Sequence, residues 1–322
     1  MSFQPNSEFF EAASPAFAAM ATSPKPAVLD VHGLRAQLKA MLAGVSNEAP
    51  LNTNIEHTVY QVPSYDGHIV SVHRIASKRP DSVSSAGPAL LHAHGGGFIQ
   101  GTAAAYLSLH YQTVQATGVP IFTVDYRLAP EHPFPAAVED FYAAVKWVND
   151  HADEVGVDRS RIAVTGESAG GAIAAGGALM ARDRGLSPPL AKQILLYPAL
   201  DDRTTVPDGA LATFATWSYE NNITAWTAYL GTGKVGSDDV SPYAAPARTR
   251  NFDGLPPTYI DVGGMDIFRD ECIKYAERIA VANIDVDLHV YAGVPHAFEV
   301  LAPGISIVER AIANRLAAMK SF

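Results

Sequence analysis

Short apolar runs alternate with helix-length segments along most of this chain. The runs are rich in β-branched residues and are continuously apolar, which is typical of strands buried on both faces of a sheet. Because helical patterns such as "PAAVEDFYAAVKWVND" and "GGAIAAGGALMARDR" separate them, we expect parallel strands joined by crossover connections. The runs are "PALLHAH", "VPIFTVDY", "RIAVTG", "KQILLYP", "PTYIDVG" and "DVDLHVY".

Two earlier runs show a different pattern. "HTVYQVPSY" and "HIVSVHRIA" alternate apolar and polar residues, and the dipeptide Asp66-Gly67 lies between them. Asp-Gly suits the positive φ angles of a tight hairpin turn. The sequence therefore predicts an α/β fold with about eight strands in a mostly parallel sheet, of which the first pair is antiparallel.

One strand-like run leads directly into a serine between glycines. "RIAVTGESAGGAIAAGG" contains the G-x-S-x-G pattern from Gly166 to Gly170, between a predicted strand and a predicted helix. In that context the pattern is typical of a nucleophile elbow, a strained turn that exposes a serine hydroxyl at the edge of the sheet. The flanking residues must be small because backbone segments come together there. We therefore predict that Ser168 is a catalytic nucleophile.

A serine hydroxyl needs a base to take its proton, and histidine serves near neutral pH. In chains with this elbow the order is serine, acid, histidine, and only His289 and His296 follow Ser168. His289 falls within the strand pattern "DVDLHVY" and is interpreted as a sheet residue. His296 lies in the loop "AGVPHAFEV" just beyond it, and is the predicted base.

The third member must be a carboxylate that orients the imidazole. Asp266, in "VGGMDIFRDE", follows the strand pattern "PTYIDVG" by a few residues and is the predicted acid. Asp261 falls within or at the end of that strand. Asp270 and Glu271 are expected at the start of the next helix, where acidic side chains are favoured.

A histidine and three glycines follow the first predicted parallel strand, in "LLHAHGGGFIQGT". Attack of a serine on a carbonyl creates an oxyanion that needs fixed hydrogen-bond donors. We predict that the backbone N–H groups of Gly95, Gly96 and Ala169 supply them. His94 is expected to brace the loop, and with His92 it lacks a third metal ligand, so no metal and no cofactor is predicted.

Two segments fit no position in the sheet: residues 1–50, with helical patterns, and residues 201–236, rich in aromatic side chains. Ligands in open α/β sheets bind at the carboxyl ends of the strands. We interpret both segments as a helical cap over those ends, with surface decoration as the alternative. The predicted organisation is a cap segment (1–50) and an α/β domain (51–322) that carries a cap insertion at about 201–236.

Composition restricts the partners and the location. The chain has 322 residues, and its 33 acidic against 23 basic residues give a net charge of −10, which disfavours a nucleic-acid partner. The start lacks the pattern of a secretory signal, and the longest low-polarity stretch is too short to span a bilayer, so we expect a cytoplasmic protein without stable membrane insertion. The single cysteine, Cys272, excludes an internal disulfide.

Several motifs together resemble a known family. "HAHGGGF", "DYRLAPEHPFPAA", "GESAG", "DIFRDE" and "GVPHAF", in this order, resemble the hormone-sensitive-lipase-like carboxylesterases of the α/β-hydrolase fold, from about residue 85 to the C-terminus. The resemblance implies the same triad and oxyanion donors, a largely helical cap, a possible homodimer, and hydrolysis of esters with short to medium acyl chains. One departure is that Ile267 and Phe268 follow Asp266, where the family usually has Pro and Leu.

The predicted function is therefore a serine carboxylesterase that acts on a small-molecule ester through an acyl-enzyme on Ser168. One alternative is a ligand-binding protein, because the family resembles plant hormone receptors that have lost the catalytic histidine; His296 argues against it. Another is a hydrolase of a lactone, carbamate, amide or acetylated natural product. The candidate pocket walls are Phe98, Tyr197, Phe214 and Trp217.

Overall fold

The computed structural model describes residues 3–42, 54–78 and 86–322. Its strands are β1 (Ile55–Pro63), β2 (Ile69–Ser77), β3 (Gly87–Ala93), β4 (Ile121–Val124), β5 (Val157–Glu167), β6 (Lys192–Leu196), β7 (Thr258–Gly263) and β8 (Val286–Tyr291). They form one sheet in the order β1-β2-β4-β3-β5-β6-β7-β8. β2 is antiparallel to both β1 and β4, and the other neighbours are parallel. The predicted α/β sheet with its antiparallel first pair is confirmed.

Helices cover the sheet and extend beyond its ends. In the described residues they are α1 (Ser7–Ala12), α2 (Ser14–Thr22), α3 (Val31–Leu42), α4 (Leu107–Thr117), α5 (Ala136–Asp150), α6 (Ala152–Val155), α7 (Ala169–Asp183), α8 (Gly209–Ala212), α9 (Tyr219–Leu230), α10 (Arg269–Val281), α11 (Phe298–Leu301) and α12 (Ser306–Met319). The apolar face of α5 is fully buried at Val138, Phe141, Val145 and Val148. Removal of these apolar side chains from water stabilises the packing of α5 against the sheet.

The loops that follow five parallel strands meet at one edge of the sheet. Gly95 follows β3, Ser168 follows β5, Tyr197 follows β6, Asp266 follows β7 and His296 follows β8. Because the carboxyl ends of parallel strands lie at the same edge of a sheet, the topology brings these residues close together.

The two segments outside the sheet contact each other. The Leu29 N–H, just before α3, donates to Thr224 Oγ1 of α9 at 3.0 Å. Phe10 of α1 stands edge-on to Phe214, with ring centroids 5.8 Å apart. The helices predicted for these segments are present in the described residues, and residues 1–2 and 43–50 lie outside them. The division into a cap segment and an α/β domain stays a prediction.

Candidate active site

The turn at Ser168 has the strained geometry that its sequence predicts. Ser168 has φ 55° and ψ −119°, between the end of β5 and the start of α7. A Cβ at Gly170 would lie 2.0 Å from the carbonyl oxygen of Ala93, and one at Gly166 would lie 2.4 Å from that of Gly170. Side chains at either glycine are therefore excluded. The Ser168 N–H donates to the Leu196 carbonyl at 2.9 Å, which fixes the turn to β6.

The structure brings the three predicted triad residues together. His296 Nε2 lies 3.0 Å from Ser168 Oγ, and His296 Nδ1 lies 2.7 Å from Asp266 Oδ2. Asp266 is 1% exposed and its Oδ1 accepts the Phe268 N–H at 2.9 Å, so both carboxylate oxygens have donors. A carboxylate on Nδ1 holds the tautomer in which Nε2 can accept the serine proton.

Two aromatic rings hold the imidazole from the sides. Tyr197 stands edge-on to His296 with centroids 4.9 Å apart, and Phe268 does so at 5.1 Å. Phe268 is one of the two departures from the family pattern, and here it packs on the predicted base.

The N–H groups of the glycine loop differ in their hydrogen bonds. The Gly95 N–H donates to the Tyr106 hydroxyl at 3.1 Å, so it has an acceptor within the protein, and its role as an oxyanion donor stays a prediction. Among the described residues, the N–H groups of Gly96, Gly97 and Ala169 donate no hydrogen bond. In the described part of the chain, Gly96 and Gly97 are therefore the glycines of this loop whose N–H groups are available to a ligand. Gly96 has φ 122°, and a Cβ there would lie 2.0 Å from the Gln100 carbonyl oxygen.

The loop rests on His94, as expected. His94 Nδ1 lies 2.8 Å from the Gly95 carbonyl, and its ring stacks on Tyr126 at 4.2 Å. The Tyr126 hydroxyl donates to the His94 carbonyl at 2.6 Å. Burial lowers the pKa of His94 to about 4, so the brace is neutral at physiological pH.

Two further histidines lie beneath this loop. His92 Nε2 is 2.8 Å from Glu167 Oε2, and its Nδ1 lies 2.8 Å from Thr123 Oγ1 and 3.0 Å from His110 Nε2. Burial lowers the pKa of His92 to about 3 and that of His110 well below its ordinary value. Burial also raises the pKa of Glu167, which precedes Ser168, to about 7.

A buried ion cluster lies next to Tyr197, whose ring contacts the base. Arg315 of α12 bonds both oxygens of Asp261, at 2.6 and 3.1 Å, and Glu299 Oε1 at 2.7 Å. The Tyr197 hydroxyl donates to the same Glu299 oxygen at 2.7 Å. Asp261 is thus committed to Arg315, and it is not the acid that contacts His296.

Comparisons with known proteins show the family of the chain. A family model described as the α/β-hydrolase fold matches residues 90–300. The chain belongs to this family. It is 39% identical to esterase LipI of Mycobacterium tuberculosis over 219 residues, which cover 68% of this chain and 67% of that protein.

Solved structures support the assignment of this chain to the α/β-hydrolase family. A bacterial heroin esterase superposes with a TM-score of 0.83 at 37% identity and covers 98% of this chain and 97% of its own. An esterase of the archaeon Pyrobaculum calidifontis gives 0.81 at 30% identity, with 100% and 99% covered. The resemblance to the hormone-sensitive-lipase-like carboxylesterases, inferred from the motifs, is confirmed.

The four candidate pocket aromatics of the hydrolase occupy different places. Phe98 is 1% exposed and stacks on Tyr229 at 4.3 Å, so its ring packs beneath the insertion. Tyr197 contacts the base, and Phe214 is half-buried against α1. Trp217 lies on the glycine loop: a Cβ at Gly97 would be 2.7 Å from its Cη2 atom.

Glu271 lies at the start of a helix and also binds the insertion. It lies in the first turn of α10, as predicted, but it is 6% exposed. Its Oε1 accepts the N–H groups of Leu200 and Asp201 at 2.5 and 3.2 Å, and the Thr204 hydroxyl donates to Oε2. The residue therefore ties the beginning of the insertion to α10, and burial raises its pKa well above that of an ordinary carboxyl.

Sequence reasoning also missed Arg315. Ala311, Arg315 and Ala318 share the buried face of α12 at helical spacing. A cation on an apolar face needs buried anionic partners, and that pattern was the available signal.

Within the described ranges, no helix is long and apolar enough to cross a membrane. No group of three or more His, Cys, Asp or Glu side chains in the same ranges is arranged to hold a metal ion.

Proposed function

We propose that this hydrolase is a serine carboxylesterase that cleaves small esters through an acyl-enzyme on Ser168. The observation that carries the proposal is the hydrogen-bonded chain from Ser168 through His296 to Asp266, beside backbone N–H groups that have no protein acceptor among the described residues. This combination supplies a nucleophile, a base and charge stabilisation at one point.

In the first half-reaction, His296 Nε2 takes the proton of Ser168 as its Oγ attacks the ester carbonyl. The alcohol then leaves with the proton that His296 returns. In the second half-reaction His296 activates a water molecule, which attacks the acyl group and frees Ser168. Asp266 stabilises the imidazolium that forms in each half.

The oxyanion formed in both half-reactions is assigned to the N–H groups of Gly96, Gly97 and Ala169. Loss of one such donor typically costs about 2.7–4 kcal/mol of transition-state stabilisation. The brace of His94 and Tyr126 beneath the loop supports this role because donors act best when they are fixed before the reaction.

The proposed substrates carry short to medium acyl chains. The Trp217 ring against Gly97 supports this range because it closes space next to the proposed oxyanion donors. The substrate is a small molecule, nucleic acid is disfavoured by the net charge of −10, and a homodimer stays a prediction.

The test is hydrolysis of p-nitrophenyl esters from acetate to palmitate by the wild type and by Ser168→Ala. We expect activity that peaks at short chains and is lost in Ser168→Ala, with unchanged circular dichroism. A folded Ser168→Ala variant with wild-type turnover would refute the nucleophile. A folded wild type without activity on any chain length would favour the ligand-binding alternative.

A further inference from the structure

Residues 213–217, between α8 and α9, contact both loops of the active site. Thr216 Oγ1 donates to the backbone carbonyl oxygen of His296 at 2.7 Å. The next residue, Trp217, lies on Gly97 of the glycine loop. One short segment of the insertion therefore joins the base loop to the proposed oxyanion loop.

The backbone at the base is held in an unusual conformation. Ala297, directly after His296, has φ 52°, in the left-handed region that residues with a Cβ rarely adopt. Such a residue persists only when its surroundings determine its conformation. The conformation of the peptide group between His296 and Ala297 therefore depends on a hydrogen-bond partner that holds it in place.

The Thr216 hydroxyl is that partner. His296 is 8% exposed, and a carbonyl at such a position needs a hydrogen-bond donor. Among the described residues, Thr216 donates to the His296 carbonyl. Asp266 and the rings of Tyr197 and Phe268 hold the imidazole itself, whereas Thr216 holds the main chain from which the imidazole projects.

We propose that Thr216 is a positioning residue for the base: its hydroxyl fixes the His296 peptide plane and thereby the alignment of Nε2 with Ser168 Oγ. The inference rests on the proposed function. It gives the insertion a part in the rate of the reaction in addition to its part in the pocket. A small error in the placement of a catalytic group lowers the rate more than it weakens substrate binding.

The test compares three variants. Thr216→Val removes the hydroxyl at nearly constant volume, and Thr216→Ser keeps it. The matched control is Thr213→Val in the same segment, because Thr213 is exposed and its hydroxyl donates to the Gly209 carbonyl at 3.0 Å. We expect Thr216→Val to lower kcat about 10- to 30-fold with KM within about twofold, since misplacement by about 1 Å can cost ~10²-fold. Thr216→Ser and Thr213→Val should stay within about threefold of the wild type.

Three results would overturn the inference: wild-type kcat in Thr216→Val, an equal loss in Thr216→Val and Thr216→Ser, or a rise in KM with unchanged kcat. If valine lowers the melting temperature, Thr216→Ala against Thr216→Ser makes the same comparison. Ser168→Ala measured in parallel separates the two claims. An active Ser168→Ala refutes the proposed function, whereas an inactive Ser168→Ala beside a fully active Thr216→Val refutes only the role of Thr216.

Discussion

On one side of Ser168, the glycine loop rests on His92, His94 and His110, which burial keeps neutral. On the other side, the Tyr197 ring stands edge-on to the base, and its hydroxyl donates to Glu299, which shares Arg315 with Asp261. The two supports differ because their tasks differ in the proposed reaction.

The glycine loop must present N–H dipoles at fixed positions, and neutral rings that stack and hydrogen-bond can hold a backbone without adding charge. The base must become a cation during the proposed reaction, and the carboxylate of Asp266, 2.7 Å from its Nδ1, stabilises that cation. The comparison teaches that buried neutral rings support the glycine loop, whereas paired charges support the Tyr197 ring beside the base.

The largest expected effect compares two buried aspartates near the end of β7. Asp266→Asn should lower kcat about 10⁴-fold, as the corresponding change does in the serine-protease example, because the imidazole loses the partner that fixes its tautomer. Asp261→Asn should keep most of the activity per folded molecule but lower the free energy of unfolding by about 1–3 kcal/mol, because the bonds from Arg315 to a buried carboxylate are weakened while Arg315 keeps Glu299. Steady-state kinetics and urea denaturation measure the two effects.

Asp270→Asn is the surface control, since Asp270 bonds the neighbouring Arg269 on the exposed start of α10. It should change neither quantity measurably. If Asp261→Asn abolished turnover and Asp266→Asn did not, the assignment of acid and structural ion pair would be reversed.

A smaller effect, the pH dependence of the free energy of unfolding, tests whether the histidines that support the glycine loop are neutral. The three histidines are neutral in the folded chain but take up protons in the unfolded chain below about pH 6.5. Their lowered pKa values therefore add stability that is present above pH 6.5 and lost as pH falls. The raised pKa of Glu167 acts in the opposite direction between its unfolded value and about 7, and offsets one histidine.

Removing one histidine should flatten this dependence. As pH falls below 6.5, the free energy of unfolding of His110→Gln should fall less steeply than that of the wild type, by up to about 1.4 kcal/mol per pH unit, which is the slope for one proton. Urea denaturation at several pH values measures the difference. Equal slopes in the two proteins would mean that His110 is charged in the folded state, and the contrast between the two supports would fail.

The sequence was sufficient for features that depend on local pattern and on chain order. The eight strands, the elbow at Ser168 and the loops that carry Asp266 and His296 follow from apolar runs, glycine spacing and the order of elements. The hydrogen bond of the Gly95 N–H was not predicted, because the direction of an N–H in a loop depends on φ and ψ, and its acceptor, Tyr106, lies eleven residues away.

Long-range contacts were not readable from the sequence. The bonds from Thr216 to His296 and from Glu271 to Leu200 join residues 80 and 71 positions apart. Nothing local to a threonine in an aromatic-rich segment specifies such a partner, since the partner is set by how the insertion folds back onto the sheet.

The measurement that tests the central claim most directly is covalent labelling by an alkyl p-nitrophenyl phosphonate, followed by peptide mass spectrometry. The proposed mechanism predicts one phosphonyl group per chain, on Ser168, formed in parallel with the loss of esterase activity and absent from Ser168→Ala. Inactivation without an adduct on Ser168, or with the adduct on another residue, would contradict it.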